Sequence, residues 1–457
     1  MSGVRLTQTV GLMTLAIAEI IAGCNDQAAS TPPAQDVTDL VVITPHAVPI
    51  REAFADGFRR WQTAHHIEPP ITVRWISHGT LECQRYILDR FGEQHEAGEA
   101  GIGVDVFFGG GLAVHQSLAA QGLAHPVKVP EAILAAIPKD LNGQPLRAPD
   151  GTWYGTALGG YGILFNAVAC KARGVPVPTT WVDLASPAFA GWVAAADPAQ
   201  SGSTTQCLAL ILLKHGWEEG WGIVSGLLAN SNGLLSASAN IAPTVEAGIA
   251  LAGLEPEFVA RRSIAASKGT MEYVNPPGAT AIIPDPVTVL KGAKEPIAAA
   301  QFVEFVLSFE GQALWALPAD TAGGPPGEAL YRYPIRPDVY QKFGEQLVVK
   351  GNPFSEQAGL RVDPADERAY TALLPHLISA ACGNNHLALQ KAWRQAAASP
   401  GQPARLQTLK TPPFAKEQAL QYASLCSHDP RQAGELEGQW SKLFEDRYRA
   451  VLESAPQ

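Results

Sequence analysis

Hydroxyl side chains and glycines recur in short clusters along this sequence, each between a short apolar run and a helical pattern. Thr44 precedes His46, and Gly110 and Gly111 end a run of three glycines. Ser201, Ser203, Thr204 and Thr205 crowd one loop, and Ser236 and Ser238 flank an alanine. Small residues let a ligand approach backbone N–H groups, hydroxyls add donors, and a helix N-terminus favours negative charge. Together they suit an oxyanion such as a carboxylate, phosphate ester or phosphonate, held by several charge-assisted hydrogen bonds. Each cluster alone is also an ordinary turn or cap. Their recurrence at equivalent positions favours a common site.

Catalytic patterns are missing from the sequence. There is no G-x-S-x-G elbow, no H-E-x-x-H and no P-loop, since the glycines after Phe108 lack a following Lys-Ser/Thr. His65, His66 and Glu68 end a helical pattern just before Pro69-Pro70 and are expected in solvent. His46 is either a capping histidine or a ligand contact. No catalytic residue, resident metal or cofactor is expected.

The clusters are positioned by a repeating unit of strand, loop and helix. Leu40–Ile43 reads as a strand, and Ile50, Phe54, Phe58 and Trp61 then fall on one helical face after Pro49. Ile71–Trp75 is a second strand, so the start reads β-α-β with a parallel pair. Val104–Phe108 leads through the glycines to a helix near Leu112. Trp192–Ala196 leads through Asp197–Ser203 to a helix over Thr204–Leu213, apolar on nearly all sides and so buried. Ser203 and Gln206 have capping-box spacing. A weaker unit runs from Gly233 to a helix over Pro243–Ala250. Such alternation predicts an α/β fold with mostly parallel sheets, whose ligands bind beyond the carboxyl ends of the strands.

The chain has 457 residues, more than one core normally serves, and a formal net charge of -10. No basic block marks a nucleic-acid surface. Near the start, the apolar run Val10–Ala22 is too short to span a bilayer, which takes ~20 residues. It ends in Ile21-Ala22-Gly23-Cys24 and resembles the lipobox of bacterial lipoproteins, in which the cysteine is acylated; Glu19 departs from that pattern. Residues 1–24 are thus expected to be a lipoprotein signal and 25–37 a flexible tether. With Cys24 lipidated, an odd number of cysteines remains, none in a C-x-x-C pair, and most are expected as buried small hydrophobes.

Five segments in order resemble the bacterial extracellular solute-binding proteins of the type 2 periplasmic fold, in the branch of ferric-iron, phosphonate and polyamine binders. They are Asp105–Gly111, Trp153–Asn166, Pro178-Thr-Thr-Trp-Val-Asp-Leu184, Asp197–Thr205 and Pro284–Gln312. The resemblance implies two lobes joined by crossing strands: 38–158 plus 280–345, and 159–279. A hinge would lie at Gly159, Gly160 and Gly162 around Tyr161, which joins the ligand set. Residues 346–457 are expected as a helical extension packed on the first lobe. The resemblance also implies a monomeric ABC-importer subunit, outside the cytoplasm, meeting permease subunits and the membrane through its lipid only; a receptor-sensing role shares these features. Ferric binders of this branch use adjacent tyrosines, which this sequence lacks, so an anionic organic solute is expected, with ferric iron as the alternative and an enzyme on the same scaffold behind it.

Overall fold

The computed structural model describes residues 37–97, 101–355, 359–398 and 403–454. Cys24 and the tether expected before Val37 lie outside the described residues. Strand β1 (Thr38–Thr44) is an apolar, β-branched run, and helix α1 (Val48–His65) follows with Pro49 in its first turn. Ile50, Phe54, Phe58 and Trp61 are buried along one face of α1. After β2 (Ile71–Ser77) comes helix α2 (Thr80–Ala97), which the sequence reading did not assign. The chain continues through β3 (Val106–Phe108), α3 (Leu112–Ala120) and β4 (Tyr154–Gly159).

One residue, Gly160, separates β4 from β5 (Tyr161–Asn166), the first strand of a second sheet. That sheet adds β6 (Val193–Ala196), β7 (Ser231–Leu235), β8 (Ala252–Pro256) and β9 (Met271–Val274). Its helices include α4 (Gly202–Ala229), kinked at Gly216, and α5 (Glu257–Ala266). Strands β10 (Ile283–Leu290) and β11 (Tyr333–Pro334) return the chain to the first sheet. The orders are β11-β4-β10-β3-β1-β2 and β7-β6-β8-β5-β9. Pairing is parallel within β1–β3 and from β7 through β6 to β8. The crossing and returning strands β4, β5, β9, β10 and β11 pair antiparallel. Both sheets are therefore mixed rather than mostly parallel, because a strand entering from the other lobe runs against its hosts.

The two crossings are laced together. The Thr280 hydroxyl donates to the Tyr161 carbonyl at 2.6 Å and accepts from the Tyr161 N–H at 3.2 Å. Gly162 has no room for a side chain, since a Cβ there would stand 2.3 Å from the Val274 carbonyl oxygen.

The first lobe is centred on an aromatic cluster in which the rings of Phe54 and Trp315 lie 4.4 Å apart. The second core contains α4 and the C-terminal helices α6 (Pro364–Cys382), α7 (His386–Ala397), α8 (Pro403–Lys410), α9 (Lys416–His428) and α10 (Pro430–Glu453). This corrects the expectation that the extension packs on the first lobe. The cause lies in α4: one side covers the second sheet, and its remaining apolar surface, including Trp217 and Trp221, needs a second layer. Leu373, Leu377, Trp393, Trp440 and Phe444 supply it, and the Trp217 indole donates to the Phe414 carbonyl at 2.7 Å. Cys83, Cys170, Cys207 and Cys382 are buried, Cys426 is half-buried, and all five are unbridged. Among the described residues no helix is long and apolar enough to cross a membrane.

Candidate ligand-binding cleft

A cleft opens between the lobes and continues along α6, α9 and α10, about 1910 Å³ in all, and helix N-termini converge on its interlobe part. From the first lobe, Ala47 ahead of α1, Thr80 at the start of α2 and Gly111 ahead of α3 line it. From the second lobe come Ser201 and Gly202 at the start of α4, and Pro256 ahead of α5. Each N-terminus carries unsatisfied N–H groups and partial positive charge. The lobes touch here: a Cβ built on Gly202 would lie 3.2 Å from the Thr80 methyl.

The glycine loop has the backbone its sequence requires. Gly109, Gly110 and Gly111 have φ of 82°, 103° and 82°, and a Cβ on Gly109 would come within 2.4 Å of the His46 ring. The Gly109 N–H donates to the Pro286 carbonyl at 2.8 Å and the Gly111 N–H to Asp285 at 2.9 Å, so both ends of the loop are held. Buried His115 fixes the loop: Nε2 donates to the Gly109 carbonyl at 2.8 Å, so Nδ1 accepts from the Thr288 hydroxyl at 2.7 Å. Burial pushes His115 down to about 4.

Behind the loop lies a buried charged group. Arg332 donates to Asp285 at 2.6 Å, and the other Asp285 oxygen accepts from the Gly111 N–H at 2.9 Å. Burial pushes the Asp285 carboxyl up, but Arg332, then His46 and the Gly111 N–H, outweigh it and hold the group at about 2. His46 Nε2 stands 3.8 Å from Asp285. Burial, opposed by Asp285, holds His46 at about 4, so the ring is neutral at pH 7. Arg332 Nε and His46 Nε2 have no hydrogen-bond partner among the described residues, and both side chains line the cleft. Across the cleft Glu255 is fully buried, and burial raises its carboxyl well above the usual range.

Of the expected ligand residues, His46, Gly110, Gly111, Tyr161, Ser201, Ser203, Thr205 and Ser238 line the cleft. Thr44, Thr204 and Ser236 do not. The Thr44 hydroxyl donates to the Phe108 carbonyl at 2.6 Å and accepts from the His46 N–H. Thr204 is buried with its hydroxyl on the Ala196 N–H, and Ser236 is exposed beyond the rim. The predicted capping box also shifts: α4 begins at Gly202, so Ser201 is the cap and accepts from the Thr204 N–H at 3.1 Å. Ser203 is thereby left to the cleft. The sequence reading missed Thr80, Asp285 and Arg332. Asp285 stands in a quoted motif, whereas Arg332, between two tyrosines, gave no sign except an arginine in an apolar context.

Residues 102–325 match the family described as bacterial extracellular solute-binding protein. The phosphoglycerate transport regulatory protein PgtC of Salmonella typhimurium is 27% identical over 160 residues, 35% of this chain and 40% of that relative. The match thus spans less than half of the relative's length. Among solved structures, the periplasmic binding protein AfuA of Actinobacillus pleuropneumoniae, with exogenous fructose-6-phosphate bound, aligns with TM-score 0.57 at 18% identity, over 78% of this chain and 97% of AfuA. Iron-bound HitA of Pseudomonas aeruginosa aligns with TM-score 0.56 at 20% identity, over 74% of this chain and 98% of HitA. At these identities the likeness shows the fold. Residues 102–325 thus belong with the bacterial extracellular solute-binding proteins, and the two-lobe architecture around them is that of the type 2 periplasmic binding proteins.

Proposed function

We propose that this protein captures a small anionic organic solute, a phosphate ester or phosphonate first, in the interlobe cleft by hinge closure and delivers it to an ABC importer. The observation that carries this reading is the convergence of helix N-termini from both lobes on one cleft. Such ends hold oxyanions without a full charge of their own. The buried carboxyls do not oppose an anion: Arg332 neutralises Asp285, and burial favours the neutral form of Glu255. The names of PgtC and of the fructose-6-phosphate complex point to phosphorylated solutes. Ferric iron, the alternative, wants anionic oxygens; Tyr161 is the tyrosine lining the cleft, and burial pushes its phenol up, against ionisation. Calorimetry against phosphoglycerate, fructose-6-phosphate, a phosphonate, ferric citrate and spermidine tests the reading. Saturable binding of a phosphorylated solute without turnover supports it. Tight spermidine binding, or iron retention that survives Ser203→Ala, overturns it.

Residues 1–24 supply the export signal in this proposal, and acylation of Cys24 anchors the protein. Durable anchoring takes more than one acyl chain. Cys24→Ala is expected to move the protein to the soluble fraction, and a variant that stays with the membrane would refute the anchor.

A further inference from the structure

The C-terminal extension is built on the second lobe, yet its first helix also reaches the first. Glu367, in the first turn of α6, is buried and accepts two hydrogen bonds. Gln206 of α4 donates to one of its oxygens at 2.7 Å, and Gln144 of the first lobe donates to the other at 2.9 Å. Gln206 itself lines the ligand cleft. The segment leading to α6 runs beside the hinge: the Leu360 N–H donates to the Thr280 carbonyl at 2.7 Å. Val362 is buried with Leu112 and Trp153 of the first lobe and Leu210 of the second.

We infer that Glu367 is a positioning residue for the ligand site, strapping Gln144 to Gln206 so that the extension favours the closed arrangement of the lobes and fixes the side chain of Gln206 at the cleft wall. A carboxylate is suited to the task because it only accepts, and both partners present N–H groups. The other amide atom of Gln144, Oε1, is buried without a hydrogen-bond partner among the described residues. That is a cost which the bond to Glu367 must offset. The extension thus belongs to the binding cycle, acting where the lobes separate.

The inference rests on the cleft being the ligand site only for its affinity arm; the scattering arm needs no ligand. Small-angle scattering of the ligand-free full chain compares wild type, Glu367→Ala and Glu367→Gln, with circular dichroism as a check on folding. Glu367→Ala is expected to enlarge the radius of gyration. Glu367→Gln is expected to keep the wild-type radius, since its amide oxygen can accept from Gln206 and, once the Gln144 amide turns over to present its free oxygen, its NH2 can donate to Gln144. Phosphoglycerate affinity is expected to fall roughly tenfold in Glu367→Ala and to return with glutamine, because an open population lowers the binding-competent fraction. Gln144→Ala, which cuts the first-lobe leg without touching the extension, is expected to repeat the alanine result and carries the test should Glu367→Ala fail to fold. An unchanged radius in both Glu367→Ala and Gln144→Ala would overturn the strap. So would a glutamine variant as open as the alanine one. If wild type fails to bind phosphoglycerate while the radii behave as expected, the ligand assignment falls and the strap stands.

Discussion

Arg332 of the first lobe lies 4.3 Å over the ring of Phe258 of the second, while its guanidinium is bonded to Asp285. One buried cation therefore ties β10 to the segment entering β11, on either side of β4, and makes a lobe contact as well. Arg332→Ala would strand the Asp285 carboxylate and is expected to destabilise the protein by about 3–5 kcal/mol. Adding Asp285→Asn should recover part of that loss, because the two act as a unit. Urea denaturation of the single and double variants checks both statements.

The two buried histidines are expected to cost stability as the solution is acidified from about pH 6.5 to about pH 4, opposed by the gain from Glu255 and Glu367, whose carboxyls burial raises so that the folded chain takes up their protons first. His46 and His115 are both held at about 4 by burial, against 6.5 for a free imidazole. Within that window the unfolded chain takes up protons that the folded one refuses. Each histidine then contributes a loss of up to about 1.4 kcal/mol per pH unit. Asp285, held at about 2 against 3.8, extends the loss below about pH 4. Denaturation curves of wild type and His115→Gln across this range should diverge, the variant losing less stability toward pH 4, and the difference isolates the histidine contribution.

Ser201 and Ser203 are two residues apart and should fail differently. Ser201 caps α4, so Ser201→Ala is expected to cost about 1 kcal/mol of stability. Ser203 lies within the first turn and faces the cleft, so Ser203→Ala should leave the unfolding midpoint within about 0.5 kcal/mol and weaken solute binding severalfold. Thermal melts and calorimetry on the same samples separate the two effects.

Gly226 marks where the extension docks on α4. A Cβ there would stand 2.5 Å from the Trp393 ring and 2.8 Å from the Ala185 methyl. Gly226→Ala gains helix propensity but overpacks this contact, and a net loss of about 1–3 kcal/mol is expected. A more stable variant would mean that the Trp393 contact yields easily.

The sequence revealed those parts of the fold whose signal is local. The runs after Thr38, Ile71 and Val193 and the face of Phe54 and Phe58 carry their own periodicity. Helix α2 also had a signal, with Cys83, Ile87 and Phe91 at four-residue spacing, but charged residues between them hide it. The missed site residues are non-local. Asp285 and Arg332 are 47 positions apart and meet because β10 and β11 both border β4. Glu367 reads as one more acidic residue in a helical first turn, and its burial depends on amides supplied by two other parts of the chain. The run Thr204–Leu213, apolar on nearly all sides, predicts a buried helix, but nothing in the run itself tells which layer covers it, and so the extension is expected on the first lobe. A helix apolar on nearly all sides needs cover on both faces, and the helices downstream supply the second layer.

The cysteines carry a consequence for how the protein is made. Cys83, Cys170, Cys207 and Cys382 are each shut within a packed interior, and burial raises every one of these thiols, Cys83 to about 12. Half-buried Cys426 is pushed up to about 11. Thiolate, the reactive form, is scarce at all five. The region from Val37 onward can therefore reach its native state without an oxidation step, tolerate reducing agents, and be the same chemical species whether it matures in a reducing or an oxidising compartment.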